Sequence, residues 1–263
     1  MREIRFFAGV PGNSPFPSGP TNPFAGTNDA SAIGPYYSLR VIVDGPVDPR
    51  TGYLCDIKEL EKVVRRQVDP LFPAAGGESR GVAESGRQLR KVMESVEREC
   101  PAPARIASLR LALSPFTSLT IRRGETTMLE LTQSYEFAAS HRLYIEGLSD
   151  AENHRRFGKC SNPHGHGHNY VLDVTVKVDS DARVGSAINI GHLDRVVRER
   201  VLTDLDHRNL NVEVAAFKSL NPTVENIARV IWDRLHGSIE NGRLARVRVW
   251  ETSRTYAEFA LSV

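Results

Sequence analysis

The chain has 263 residues, 40% hydrophobic and 25% charged, which is long for one average domain and comfortable for two small ones. A formal net charge of only +2, with acids and bases interspersed, provides no basic stripe of the kind that neutralises many phosphates, so nucleic acid is not an expected partner. Three cysteines, Cys55, Cys100 and Cys160, without CxxC spacing argue against a disulfide framework and point to a reducing, cytoplasmic setting.

The N-terminus, MREIRFFAGVPG, carries charges where a signal peptide needs an apolar run. No segment approaches the roughly 18 consecutive apolar residues of a membrane span. The stretch from Pro11 to Pro35, rich in Gly, Pro, Asn and Ser, reads as a long loop. Tyr37 to Val43 (YSLRVIV) alternates like a strand, and DIKELEKVVRRQV from Asp56 carries Ile, Leu and Val at helical spacing. GVAESGRQLRKVMESV from Gly81 reads as a second helix, and SLRLALSPFTSLTI from Ser108 as strand, turn, strand.

The same order returns in the second half. Tyr170 to Val178 (YVLDVTVKV) is a strand, and NIGHLDRVVRERV from Asn189 matches the Asp56 helix without a gap at Ile, Leu, Val-Val and the final Val. PTVENIARVIWDRL from Pro222 lies on the Gly81 helix, with Glu84 against Glu225, and RVRVWETSRTYAEF from Arg246 lies on the Ser108 pair. Any two amphipathic helices look alike, but four matches in one order predict a duplication. The expected fold is α+β: two ββααββ units, about residues 1–122 and 130–263, each an antiparallel sheet with two helices on one face.

Chemistry concentrates in the second unit. In NPHGHGHNY, His166 and His168 sit one residue apart at the entry to a strand, where residues i and i+2 point the same way. Two imidazoles on one face can share a metal. His141, closing the apolar stretch SYEFAASHRL on the neighbouring strand, is the candidate third ligand of an open zinc site. His164 reads as a loop residue; His154, His192 and His236 read as ordinary surface or core histidines.

DAENHRRFGKCSNPHGHGHNY, from Asp150 to Tyr170, resembles the signature of eukaryotic-type 6-pyruvoyl-tetrahydropterin synthases, a family of the tunnelling fold. Asp206-His207 in LTDLDHRNLN, Pro222-Thr223 and Glu225-Asn226 in NPTVENIA, and Glu251-Thr252 in VRVWET follow in the family's order. The resemblance implies zinc-dependent conversion of 7,8-dihydroneopterin triphosphate to 6-pyruvoyl-tetrahydropterin with loss of triphosphate. It also implies a homo-oligomer in which Cys160 of one chain meets Asp206 and His207 of another.

On this reading Cys160 is the base, a thiolate beside a metal and cationic groups being populated near neutral pH, with Lys159 its immediate neighbour. Asp206 and His207 handle protons, Glu251 anchors the pterin while the metal grips a different end of the substrate, and Thr223 and Glu225 line the pocket. Thr223 also suits a helix cap. A bacterial relative of the family, which makes 6-carboxy-tetrahydropterin, typically has its cysteine three residues ahead of the HGH triplet. Cys160 stands three residues ahead of His164-Gly165-His166 and five ahead of His166-Gly167-His168. The Asn-Tyr that follows and the FGKCSNP context favour the second parsing. From other classes, a simple zinc hydrolase or a non-catalytic metal-binding module needs neither Glu251 nor the Asp-His pair.

The first half keeps none of this machinery. Its aligned residues are Pro11 for His141, Ile33-Gly34-Pro35 for the His166 to His168 triplet, and Ser114 for Glu251, and VDPLFPAAGG from Val68 contains no Asp-His pair. It is expected to be a structural partner.

Overall fold

The computed structural model describes residues 1–7, 36–68, 81–125, 127–181 and 188–260. The loop expected at Pro11 to Pro35 lies outside the described residues, as does all of VDPLFPAAGG except Val68. Two compact units divide the chain: Met1–Leu131 with Val178–Ala187, and Thr132–Lys177 with Ile188–Val263. This division differs from 1–122 and 130–263 at the start of one strand and at Val178–Ala187. Among the described residues, no helix is long and apolar enough to cross a membrane.

In the first unit, β1 (Arg2–Phe7) and β2 (Tyr36–Asp44) pair antiparallel, then α1 (Ile57–Val68) and α2 (Val82–Glu99) lead into the hairpin of β3 (Arg105–Ala112) and β4 (Thr117–Arg122). Strand order is β1-β2-β3-β4. Leu39 and Val41 alternate inward on β2, as do Leu109 and Leu111 on β3, and they pack in one core with Leu60 and Val64 of α1 and Leu89, Val92 and Val96 of α2. The outward residues pair in charge, with Glu3 directly opposite Arg40 and accepting from it at 2.9 Å. A one-residue bulge between Ile42 and Val43, skipping Ala107, shifts the register of β2 on β3.

In the second unit, β5 (Met128–His141) enters from residues of the first, and α3 (Asp150–Phe157) and a 3₁₀ turn (Gly158–Ser161) precede β6 (His166–Asp179). The helix expected from Asn189 is α-helical only as α4 (Ile190–Val197). It widens into a π turn at Arg198–Leu202 before α5 (Thr203–Leu205). Next come β7 (Arg208–Asn209), α6 (Leu210–Glu213) and α7 (Val224–Leu235), and the unit closes with the hairpin of β8 (Arg243–Thr252) and β9 (Thr255–Ala260).

The order here is β5-β6-β8-β9, with β7 lying parallel to β5. α7 packs on β8 and β9, where Trp232 meets Phe259 at 5.4 Å between ring centroids. One sheet face forms the core: Phe137 and Ala139 on β5, Tyr170, Leu172 and Val174 on β6, and Val247 and Val249 on β8 are buried. The opposite face is polar, with Asp173 accepting from Ser134 Oγ and Trp250 Nε1.

Candidate metal centre

The period of two that buries this core face also builds the site, because each strand's buried series runs on into a polar residue at the end of the sheet. On β5 the series is Phe137, Ala139, His141; on β6, read from the core outward, it is Leu172, Tyr170, His168, His166. β8 pairs with β6 in the register Val171 to Trp250, which sets Glu251 on the same face as Tyr170. β6 begins at His166, so both histidines belong to the strand itself.

Backbone economy explains the glycines before and between them. Gly165 has φ +72°, and a Cβ there would lie 3.0 Å from the His141 carbonyl; a Cβ on Gly167 would lie 3.3 Å from the Ala139 carbonyl. β6 runs so close to β5 here that side chains on this edge have no room.

Nε2 of His141 lies 3.1 Å from Nε2 of His166, and ligand atoms of His141, His166 and His168 fall within 4.8 Å of one another. Two nitrogens held about 2.05 Å from one tetrahedral zinc are about 3.3 Å apart. Nδ1 of His141 donates to the Pro222 carbonyl at 2.7 Å, so its Nε2 carries the lone pair. Nε2 of His168 is buried without a hydrogen-bond partner, an arrangement that costs free energy until a Lewis acid or donor meets it. Burial, above all, lowers the proton affinity of His141 and of His166, which favours the neutral form a metal requires. This donor set fits zinc.

Glu251 lies beside that cluster, its Oε1 3.4 Å from Nε2 of His168 and 3.5 Å from Nε2 of His141. The reason is its strand register, which brings the end of β8 alongside the histidines.

Cys160 is half-buried in the 3₁₀ turn after α3. Leu143 N–H donates to its carbonyl at 2.8 Å, and Arg142 Nε donates to the next carbonyl, of Ser161, at 2.9 Å. The residue following His141 therefore fixes the cysteine segment. Burial first, and then the Glu251 charge, push the thiol's ionisation up.

Asp206 and His207 contact each other despite being sequence neighbours, Oδ1 to Nδ1 at 2.9 Å. Asp206 also accepts from Ala138 N–H at 2.9 Å, and this bond, with His207, holds its carboxyl below the usual range. The geometry requires φ +57° at His207, a left-handed conformation uncommon for a residue with a side chain. His207 is 81% exposed at its side chain. His207 borders a cleft of about 800 Å³ that also reaches His168 and Arg208.

Thr223 caps α7, its Oγ1 accepting from Asn226 N–H at 3.4 Å, and Glu225 is exposed in the first turn of that helix. His164 is exposed in a turn and takes no part in the cluster. Sequence reasoning missed two groups. One is the Pro222 carbonyl, which no residue-type pattern can reveal. The other is Tyr170, which reads simply as a strand residue, although its place two beyond His168 in the alternation signals the shared face.

A family model described as 6-pyruvoyl tetrahydropterin synthase matches residues 130–261. The human 6-pyruvoyl tetrahydrobiopterin synthase is 42% identical over 129 residues, covering 49% of this chain and 89% of that protein. Its counterpart from Drosophila melanogaster is 39% identical over 130 residues, 49% of this chain and 77% of that one. The solved structure of the Caenorhabditis elegans 6-pyruvoyl tetrahydropterin synthase is 36% identical, covers 51% of this chain and 96% of that chain, and superposes with a TM-score of 0.47.

Proposed function

Since the chain belongs to the 6-pyruvoyl tetrahydropterin synthase family, we propose that its second unit is a zinc-dependent lyase converting 7,8-dihydroneopterin triphosphate to 6-pyruvoyl-tetrahydropterin with elimination of triphosphate. The observation that carries this reading is the convergence of the three imidazoles with the Glu251 carboxylate at one end of the core face. His141, His166 and His168 hold the zinc, whose contribution when bound is Lewis acidity toward the substrate's side-chain hydroxyls. Glu251 anchors the pterin, and Glu225 and Thr223 contact it from the start of α7.

Cys160 acts as the base that removes a proton beside those hydroxyls. Its thiolate, disfavoured by the Glu251 charge in the metal-free protein, would be favoured with a cation held by the three histidines. Asp206 orients the His207 imidazole for proton handling. With His164 outside the cluster, the cysteine stands five residues ahead of the HGH triplet formed by His166 and His168, which supports the pyruvoyl over the carboxy product.

Within one chain, Glu251 is the charge that acts on Cys160, and His207 is the side chain that pairs with Asp206. The exposed Asp206-His207 pair therefore serves the Cys160 of a second chain, and the active form is a homo-oligomer in which second units meet.

The first unit, about 1–122, is a degenerate copy of the second, about 130–263, and acts as its structural partner. Three correspondences support this. α1 and α4 are capped at matching positions, Asp56 accepting from Lys58 N–H and Asn189 from Gly191 N–H. Leu60, Val63, Val64 and Val68 are buried where Leu193, Val196, Val197 and Val201 are. The bulge between Ile42 and Val43 also recurs between Thr175 and Val176, skipping Ala107 in one unit and Ala245 in the other. Incubation of the zinc-loaded protein with 7,8-dihydroneopterin triphosphate, followed by chromatography of the pterins, tests the reaction: 6-pyruvoyl-tetrahydropterin and free triphosphate are expected, and recovery of unchanged substrate defeats it.

A further inference from the structure

Tyr170 is fully buried, at 0% exposure, and its hydroxyl has no hydrogen-bond partner. A phenol buried in this way usually finds a partner, because leaving the O–H unpaired in the interior forfeits its bonds to water. Packing gives no reason for the oxygen. The ring stacks on Phe137 at 5.0 Å and 14°, a contact that a phenylalanine would make equally well. The oxygen therefore costs the free protein stability and is retained for something other than the core.

Its position indicates what that is. Tyr170 follows His168 by two residues on β6, and its ring lies edge-on to His168 at 5.5 Å and to His141 at 6.3 Å. Glu251 and Cys160, on two other segments, both act electrostatically on the phenol. The phenol thus sits next to the histidines and within the electrostatic reach of Glu251 and Cys160, and a neutral phenol offers a directed O–H to an oxygen acceptor.

We propose that Tyr170 is a further substrate-contacting residue, its O–H donating a hydrogen bond to an oxygen of the hydroxylated side chain of the pterin held at the histidine cluster. The inference rests on the pterin reading of the site. It separates the ring from the side chain: Tyr170 senses the side-chain oxygens and is indifferent to the heterocycle.

Tyr170→Phe in the full-length, metal-loaded protein tests it, with three measurements against wild type: thermal unfolding, metal content, and affinity by calorimetry for neopterin, which carries the trihydroxypropyl chain, and for unsubstituted pterin. The expected result is a melting temperature raised by a few degrees, because an unpaired buried hydroxyl has been removed. Metal content is unchanged, affinity for neopterin falls roughly ten-fold, and affinity for unsubstituted pterin is unaltered. A lowered melting temperature or lost metal makes the hydroxyl structural and overturns the proposal, as does equal affinity loss for both pterins or none for either. If wild type itself binds neither pterin, the pterin reading fails, and the assignment of Tyr170 to a pterin side chain falls with it.

Discussion

Nδ1 of His141 donates a 2.7 Å hydrogen bond to the carbonyl oxygen of Pro222, a residue 81 positions away that opens the turn into α7. A carbonyl can only accept, so this contact determines the tautomer and turns the Nε2 lone pair toward His166 and His168. Elemental analysis of the purified protein should find one zinc per chain. His141→Ala should abolish that stoichiometry, while His164→Ala, which alters an exposed turn, should leave it intact. Two metals per chain, or full retention in His141→Ala, would contradict the three-histidine site.

Glu251 is predicted to serve the substrate and not the metal inventory, even at 3.4 Å from His168. Glu251→Gln keeps the shape and removes the charge. Stoichiometric zinc should remain, with affinity for a pterin ligand lowered by about ten-fold or more, the scale of one charge-assisted hydrogen bond. Loss of zinc from this variant would instead make the carboxylate a ligand.

Cys160→Ala should fold and keep its zinc but lose turnover by about a hundred- to ten-thousand-fold, the usual contribution of a general base. His207→Ala should be similarly impaired. If an active site joins Cys160 of one chain to the Asp206-His207 pair of another, mixing the two inactive variants under conditions of subunit exchange should restore activity. Assays of the mixture before and after exchange decide this, and persistent inactivity would return both groups to a single chain.

His141 also predicts a pH dependence. Burial depresses its folded-state proton affinity below the ordinary value of 6.5. The unfolded chain therefore binds the extra proton first as pH falls. Stability should be fully present above about pH 6.5 and decline as the pH drops toward the depressed value. Thermal unfolding of metal-free protein across pH 5 to 8 should show this slope, and His141→Gln should flatten it. The Asp206 contribution lies lower, because its depressed carboxyl loses stability only as pH falls below its ordinary value of 3.8.

Much of this was legible in the chain because it is local. Period-two alternation marked β2 and β6, and 3.6-residue spacing marked α1, α2 and α7. The HGH triplet declared its own geometry, since i and i+2 on a strand must share a face. What lay beyond the sequence depended on partners distant along it. Strand register placed Glu251 among the histidines, the turn before α7 delivered the Pro222 carbonyl to His141, and a left-handed backbone at His207 brought an adjacent Asp and His into contact. The sequence by itself determined which side chains alternate toward the core and which residue types stand at its end. Only the tertiary structure decided which of those ends meet, because that depends on pairing between strands and turns far apart in the chain, which no periodicity within one segment encodes.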